Sequence, residues 1–134
     1  KGSVLLYEVD KNNNEKIEKS ENDPFINMPI VILTNQNTAS SSEILAGALK
    51  DNRKAKIVGT KTYGKGVIQQ LLTLPDGSGL KITSEEYLTP NRTKINKVGI
   101  EPDEEVKLPD SVKNVLKVEE KDDTQLQKAI EMAK

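Results

Sequence analysis

Residues 29–49 read PIVILTNQNTASSSEILAGAL, so that an apolar run, a polar loop and an amphipathic segment follow one another. The apolar run at 30–33 is typical of a β-strand buried on both of its faces. Beyond the polar residues 34–39, apolar side chains within 41–52 recur at the spacing of one helical stripe. This order predicts a strand that leads through a loop into a helix, with three serines at the start of the helix. The predicted stripe consists of Ile44, Leu45, Ala48 and Leu49.

The sequence on either side of residues 29–49 predicts several more short strands. Runs rich in Val, Ile, Leu and Tyr are separated by polar turns, and the Pro-Asp-Gly turn at 75–77 is a strong hairpin signal. Strands combined with the helix at 41–52 indicate a mixed α/β domain. The predicted strands are residues 2–9, the segment that returns to Ser20, and residues 55–59, 67–74 and 79–88.

A second helix is predicted at the end of the chain, after the charged residues 117–123. Asp122 or Asp123 can cap it, and both remain open on sequence grounds. The chain therefore divides into a hairpin and lead-in at 1–28, a central region at 29–109, and a linker with a terminal helix at 110–134. The predicted apolar face of the terminal helix consists of Leu126, Ala129, Ile130 and Ala133.

Length and charge limit the classes of function. The 134 residues correspond to one domain or part of one. Twenty basic and 21 acidic residues leave a net charge of −1, and no basic block indicates a nucleic-acid partner. No apolar run approaches the ~20 residues that span a bilayer. The chain begins with Lys1 rather than Met, so we expect an excised or processed segment whose missing targeting signal says nothing about location.

The chain contains neither cysteine nor histidine. This composition excludes a thiol nucleophile, a disulfide and a thiolate zinc site within the chain. It also excludes a Ser–His–Asp triad and an imidazole metal site. Any base-assisted chemistry must therefore use a carboxylate, a lysine or a tyrosine as the base.

Ser40 stands where the predicted strand and loop lead into the helix. A serine at a helix N-terminus is well placed for nucleophilic attack, because unpaired N–H groups there can stabilise a developing oxyanion. The same residue also fits a purely structural interpretation, since Ser40-x-x-Glu43 matches a capping box. Ser41 and Ser42 leave the choice of nucleophile open on local grounds.

Lys65 is flanked by Gly64 and Gly66, which allow the backbone to approach other segments closely. An exposed turn is the simpler interpretation. Another interpretation is a phosphate-binding loop, because residues 59–65 match the glycine and lysine spacing of such a loop. Gly66 replaces the required Ser or Thr, however, and residues 67–72 are predicted to form a strand where such a loop opens a helix.

Two acidic patterns raise the possibility of metal binding. Asp10-x-Asn12-x-Asn14 resembles the start of a calcium loop, but Glu15 replaces the required glycine and strands flank it. We interpret it as a hairpin turn. The carboxylates within 101–105 are interpreted as an acidic rim rather than a metal site.

Taken together, these motifs resemble the carboxy-terminal processing (tail-specific) proteases, which are serine peptidases with a Ser–Lys dyad. The matching residues follow one another in register over roughly 29–106. They are residues 31–35 (VILTN), 38–44 (TASSSEI), 46–49 (AGAL), 57–59 (IVG), 62–66 (TYGKG), Gln69, 74–77 (LPDG), 87–90 (YLTP) and 99–103 (GIEPD).

The resemblance implies a function for each site residue. Ser40, the first of the three serines, would be the nucleophile, and Lys65 would be its general base. Gln69 would orient the lysine, and the backbone N–H of Ser41 would be one oxyanion donor. A lysine acts as a base only where its charge is disfavoured, and residues 61–74 contain no carboxylate side chain. The implied reaction cleaves protein or peptide substrates near their C-termini and needs no cofactor.

The resemblance also implies a fold and a context. The fold would be the protease core with a spiral of strands, similar to crotonase and Clp protease. The family acts on the exported side of the bacterial membrane. Its Asn-Pro-Gly-Gly segment, which supplies the second oxyanion donor, does not occur between Lys1 and Pro29, and its PDZ domain is absent.

We therefore expect the chain to be the C-terminal half of a larger peptidase. Alone it would be inactive or weak, and exposed strand edges would promote self-association. The main alternative is a catalytically silent binding or assembly domain of the same fold.

Overall fold

The computed structural model describes residues 1–23, 27–115 and 117–134 and contains two sheets and two α-helices. This architecture confirms the predicted mixed α/β class. No helix in the described ranges is both long enough and apolar enough to cross a bilayer. The elements are β1 (Val4–Asp10), β2 (Glu15–Lys19), β3 (Val31–Thr34), α1 (Ser41–Asp51), β4 (Lys56–Gly59), β5 (Val67–Thr73), β6 (Gly79–Leu88), β7 (Glu104–Glu105), a 3₁₀ turn (Glu120–Asp122) and α2 (Thr124–Met132).

The first sheet is antiparallel, with strand order β2-β1-β6-β5. Both predicted hairpins are present in it. The Asp10 carboxylate closes the first hairpin, because it accepts hydrogen bonds from the backbone N–H groups of Asn12 and Asn14, each at 2.8 Å. The side-chain amide of Asn14 also donates to Asp10 and lowers the pKa of that carboxyl. The calcium-like spacing is therefore a hairpin turn, as predicted.

The second sheet is parallel, with strand order β3-β4-β7. The prediction that 30–33 lies in a strand buried on both faces is wrong for this chain, since Leu33 in β3 is 42% exposed. The strand with that property is β4, in which Ile57 and Val58 are fully buried. β4 is central in the sheet, whereas β3 has a strand partner on one side only within the described residues.

The hydrophobic core lies beneath α1 and comprises Ala46, Ile57, Ile95 and Ile100. Gly47 allows α1 to pack closely there, because a Cβ at that position would lie 3.1 Å from the Ile100 side chain. The buried side of α1 is thus formed by Glu43 and by small residues.

The predicted apolar stripe of α1 is only partly correct. Ala48 is buried, but Leu45 is exposed. Leu45, Ala48 and Leu49 line a cavity of about 490 Å³ together with Leu5 and Ile30. The small residues that pack closest to the core determine the rotation of α1 about its axis. The stripe of larger apolar side chains therefore lies to one side of the face that contacts the core.

The terminal helix α2 begins at the Asp123 cap, whose carboxylate accepts a hydrogen bond from the Leu126 N–H at 2.9 Å. Its predicted apolar face is only partly buried, because Ala129 is buried whereas Ile130 and Ala133 are exposed. The reason is a polar contact that sequence periodicity does not indicate. Gln125 is buried and donates through its side-chain amide to the Val106 carbonyl oxygen at 2.8 Å.

Candidate active site

Ser40 occupies the N-cap of α1 with φ 59° and ψ −123°. This backbone conformation is unfavourable for a residue with a side chain and costs on the order of 1–3 kcal/mol. A sharp, strained turn from a strand into a helix is the arrangement that exposes the nucleophilic serine of α/β-hydrolases. Sequence patterns did not predict the strain, which distinguishes Ser40 from an ordinary helix cap.

Ser41 is the first residue of α1, and its side chain is exposed. The next backbone donors have acceptors, since Ser42 N–H donates to the Ala39 carbonyl at 3.3 Å and Glu43 N–H donates to that of Ser40 at 2.9 Å. The Ser41 N–H has no acceptor in the described parts of the chain. A donor beside Ser40, at the positive end of the helix dipole, is therefore available to an anion.

Glu43 joins the two candidate catalytic segments. Its side chain is fully buried. One carboxylate oxygen, Oε2, accepts hydrogen bonds from the backbone N–H of Ser40 at 2.9 Å and from that of Lys65 at 2.8 Å. Those two nitrogens therefore lie within about 5.7 Å of each other, the sum of the two distances. The predicted nucleophile and the predicted base are neighbours in the folded chain.

The second oxygen of Glu43 holds the rest of the same loop. Oε1 accepts hydrogen bonds from the Thr62 hydroxyl at 2.5 Å and from the Gly64 N–H at 2.7 Å. Four donors thus compensate the burial of one carboxylate. The sequence predicted Glu43 only as the partner of Ser40 in a capping box, and the hydrogen bond from the Ser40 N–H to the Glu43 side chain confirms that contact. The signal that was missed is the position of Glu43, because it lies on the helix face that is otherwise formed by small, buried residues. A glutamate on such a face needs hydrogen-bond partners from other segments.

The two glycines around Lys65 are required by close backbone packing. A Cβ at Gly64 would lie 2.9 Å from the Gly99 nitrogen, and one at Gly66 would lie 2.6 Å from the Asn96 nitrogen. The Gly64 carbonyl also accepts a hydrogen bond from the Lys97 N–H at 2.8 Å. The loop therefore packs against 95–99 on both sides of the lysine, and the Lys65 side chain is exposed.

Lys65 itself is exposed, and its ammonium group has no ion-pair partner in the described ranges. The described residues do not supply the apolar enclosure that a lysine base needs. The residues that follow form β5, so the phosphate-binding-loop interpretation fails, because such a loop opens a helix.

Gln69 lies on β5, at an irregularity in the pairing with β6. Its side-chain amide donates to the Thr83 hydroxyl at 3.4 Å, and within the described segments it makes no hydrogen bond to Lys65. The structure therefore does not join Gln69 to Lys65, and its predicted orienting function stays a prediction.

The acidic residues near 101–105 have structural contacts. Asp103 accepts a hydrogen bond from the Ile57 N–H at 2.8 Å, which continues the sheet pairing ahead of β7. Glu101 forms an ion pair with Lys61 at 2.7 Å. Among the described residues, no group of three carboxylates could hold a metal ion.

Comparison with known proteins adds an independent line of support. A family model described as peptidase family S41 matches residues 1–106. A carboxyl-terminal-processing protease of Synechocystis is 46% identical over 107 residues, covering 80% of this chain and 25% of that protein. A chloroplastic carboxyl-terminal-processing peptidase of Arabidopsis thaliana is 46% identical over 103 residues, covering 76% and 21%.

A solved structure shares the fold as well as the sequence. It is a photosystem II D1 C-terminal processing protease, superposed with a TM-score of 0.73 at 39% identity over 81% of this chain and 29% of that chain. The present chain spans about a quarter of the length of the curated relatives that it matches.

Proposed function

Because the chain belongs to peptidase family S41, we propose that it carries the nucleophile and the base of a serine endopeptidase that cleaves proteins near their C-termini. The observation that carries this proposal is the shared acceptor on Glu43, which places the backbones of Ser40 and Lys65 side by side. A serine that only caps a helix would not require the loop that carries Lys65 to bind the same Glu43 carboxylate.

In the first half of the proposed reaction, the Ser40 hydroxyl oxygen attacks the carbonyl carbon of the scissile peptide bond. The neutral amine of Lys65 takes the hydroxyl proton as the new C–O bond forms. Negative charge develops on the former carbonyl oxygen, and the Ser41 N–H donates to it. The C–N bond then breaks, Lys65 returns the proton to the leaving amine, and an acyl-enzyme on Ser40 remains.

In the second half, Lys65 takes a proton from a water molecule that attacks the acyl carbon. Collapse of the second tetrahedral intermediate breaks the bond to the Ser40 oxygen. The proton returns from Lys65 to that oxygen, and the carboxylic product leaves. The cycle needs no cofactor, because every proton that is removed is returned by the same lysine.

The remaining parts of the site would come from segments outside these 134 residues. The matches of 107 and 103 residues are 25% of two relatives, which are therefore about three times as long as this chain; this supports a full-length peptidase with a second oxyanion donor, an enclosure for Lys65 and a PDZ domain. We further propose action on the exported side of a membrane. Substrate C-termini would be the partners, and self-association would follow from the exposed edge of β3.

A catalytically silent binding domain is the second candidate function. The observations that favour it are the exposure of Lys65 and the hydrogen bond of Gln69 to Thr83, since neither matches a lysine held ready as a base. The strained conformation of Ser40 argues against it, because a silent domain gains nothing from that strain.

A fluorophosphonate probe distinguishes these two functions, because it reacts only with an activated serine. We expect the intact protein to be labelled on Ser40, as located by peptide mapping. Ser41→Ala, the matched control, should be labelled normally, whereas Ser40→Ala should not. An intact, folded protein that resists the probe would support the silent domain.

A further inference from the structure

Tyr63 is the exposed member of the three tyrosines in this chain. Its side chain is 68% exposed. Tyr7 lies beneath the Arg92 guanidinium, 4.3 Å from the ring centroid, and Tyr87 packs against the core. Aromatic rings bury a large area when they find a partner, and they are enriched at binding surfaces. The exposed ring of Tyr63 therefore requires an explanation that the other two do not.

The backbone of Tyr63 is held rigidly at the candidate active site. Its N–H donates to the Thr38 carbonyl at 2.9 Å. The residues on either side, Thr62 and Gly64, both donate to the buried Glu43 carboxylate. Thr38 precedes Ser40 by two residues, and Tyr63 precedes Lys65 by two residues. The backbone from which the Tyr63 ring projects is consequently held in place between the segments that carry the proposed nucleophile and base.

The surface around this point is apolar on one side. Val98 is exposed, and its backbone nitrogen would lie 3.1 Å from a Cβ placed on Gly64. The charged residues nearest along the chain, Lys65 and Lys97, are cationic, and the carboxylate of Glu101 is engaged in its ion pair with Lys61. An apolar side chain gains contact area at such a surface without burying an acidic group.

We infer that Tyr63 is a specificity residue of the proposed peptidase and that its ring packs against an apolar side chain flanking the scissile bond. This inference rests on the proposed function. A mobile exposed ring would lose entropy on binding, whereas a ring on a backbone held from three sides is already placed. The occupant that we assign to this surface is substrate, with Val98 beside it.

The test uses the intact protein and a peptide whose cleaved bond has been mapped by mass spectrometry. Peptide pairs carry Leu or Asn, which are similar in size, at one of the two residues flanking that bond. We expect Tyr63→Ala to lower the Leu-over-Asn ratio of kcat/KM by about tenfold at one of these positions. Tyr63→Phe should keep the ratio, because the ring rather than the hydroxyl makes the contact.

Leu71→Ala is the matched control. Leu71 is 75% exposed, and it lies six residues beyond Lys65 along an extended segment, about 20 Å away. This variant should keep the ratio of the wild type. The melting temperature of Tyr63→Ala should also equal that of the wild type, since an exposed ring stabilises little.

Several results would overturn the inference. An unchanged ratio in Tyr63→Ala at both positions would do so, as would an equal loss in Tyr63→Phe or Leu71→Ala. A lowered melting temperature or loss of folding in Tyr63→Ala would show that another part of the protein covers the ring. Failure of the wild type both to cleave and to react with the fluorophosphonate would instead remove the proposed function itself. If the wild type reacts with the fluorophosphonate but the ratio is unchanged in Tyr63→Ala, only the inference about Tyr63 is wrong.

Discussion

Ser40 and Lys65 donate their backbone N–H groups to the same oxygen atom, although 25 positions separate them in the sequence. The acceptor belongs to a fully buried glutamate, so the contact is shielded from water. Hydrogen bonds to a buried charge are stronger than those between neutral groups. The relative position of the two candidate catalytic segments therefore depends on one carboxylate, so a change at that carboxylate should perturb the proposed chemistry without altering either proposed reacting side chain.

Glu43→Gln tests this dependence. The amide keeps the shape of the carboxylate but replaces one acceptor oxygen by an NH₂ group, which leaves buried N–H donors facing a donor. An unsatisfied buried donor costs about 1–3 kcal/mol, and we expect the free energy of unfolding to fall by at least that amount. Fluorophosphonate labelling of Ser40 should also slow markedly.

Denaturant unfolding and the labelling rate measure both effects. The control is Glu101→Gln, which removes a carboxylate from an exposed ion pair and should change neither quantity appreciably. A Glu43→Gln protein as stable and as reactive as the wild type would show that the shared oxygen does not hold the site together.

Ser40→Gly and Ser40→Ala separate the chemistry of Ser40 from its backbone strain. Both variants lack the hydroxyl, so both should lose peptide cleavage. Glycine adopts φ 59° without penalty, whereas alanine does not. Ser40→Gly should therefore be the more stable of the two, by about 1 kcal/mol in the free energy of unfolding. Equal stabilities would mean that the turn at Ser40 relaxes, and cleavage by either variant would reassign the nucleophile.

Lys65→Arg should abolish peptide cleavage at every accessible pH, because a guanidinium stays charged and cannot accept the serine proton. Within these 134 residues the side chain is exposed, so the melting temperature of this part of the protein alone should stay the same. Lys61→Arg, in the same loop, is the control and should remain active, since arginine can keep the ion pair with Glu101. Chelators should leave the wild-type rate unchanged. Substantial cleavage by Lys65→Arg would contradict the assignment of the base.

Glu86 is expected to contribute to acid sensitivity. Hydrogen bonds from Lys94 and from Asn96 hold the pKa of its carboxyl below the ordinary value of 4.5. A group whose pKa is lower in the folded protein stabilises the fold above its unfolded pKa and loses that contribution as the pH falls through the folded pKa. The free energy of unfolding should therefore decline less steeply below about pH 4.5 in Glu86→Gln than in the wild type. Parallel pH profiles for the two proteins would exclude this contribution.

Local sequence patterns predicted the elements well where neighbouring residues determine them. The hairpin around Pro75-Asp76-Gly77 and the turn at Asp10 formed as expected, because turn chemistry acts over a few residues. The rotation of α1 was harder to predict. Hydrophobic periodicity favours the side with the largest side chains, whereas close packing against Ile100 selected Gly47 and the small residues beside it.

The candidate site shows the same division. Ser40 and Lys65 were predicted because the motifs, in their order along the chain, resemble those of a known protease family. Glu43 was interpreted as a local cap, because the pattern Ser-x-x-Glu contains no sign of partners in another segment. Its bonds to Thr62, Gly64 and Lys65 depend on tertiary structure. The exposure of β3 also depends on tertiary structure, because it is determined by the strands that lie beside β3.

The position of the Glu43 partners along the chain has a consequence for the order of folding. Its three donors in the lysine loop lie 19, 21 and 22 residues away, beyond β4. A glutamate that enters the core before those donors arrive would be a buried, unpaired charge, so the site can close only after β4 has paired with β3. We therefore expect these bonds to be absent from the folding transition state. Glu43→Gln should accelerate unfolding and leave the folding rate nearly unchanged in a chevron plot, whereas slower folding would place the carboxylate in the nucleus.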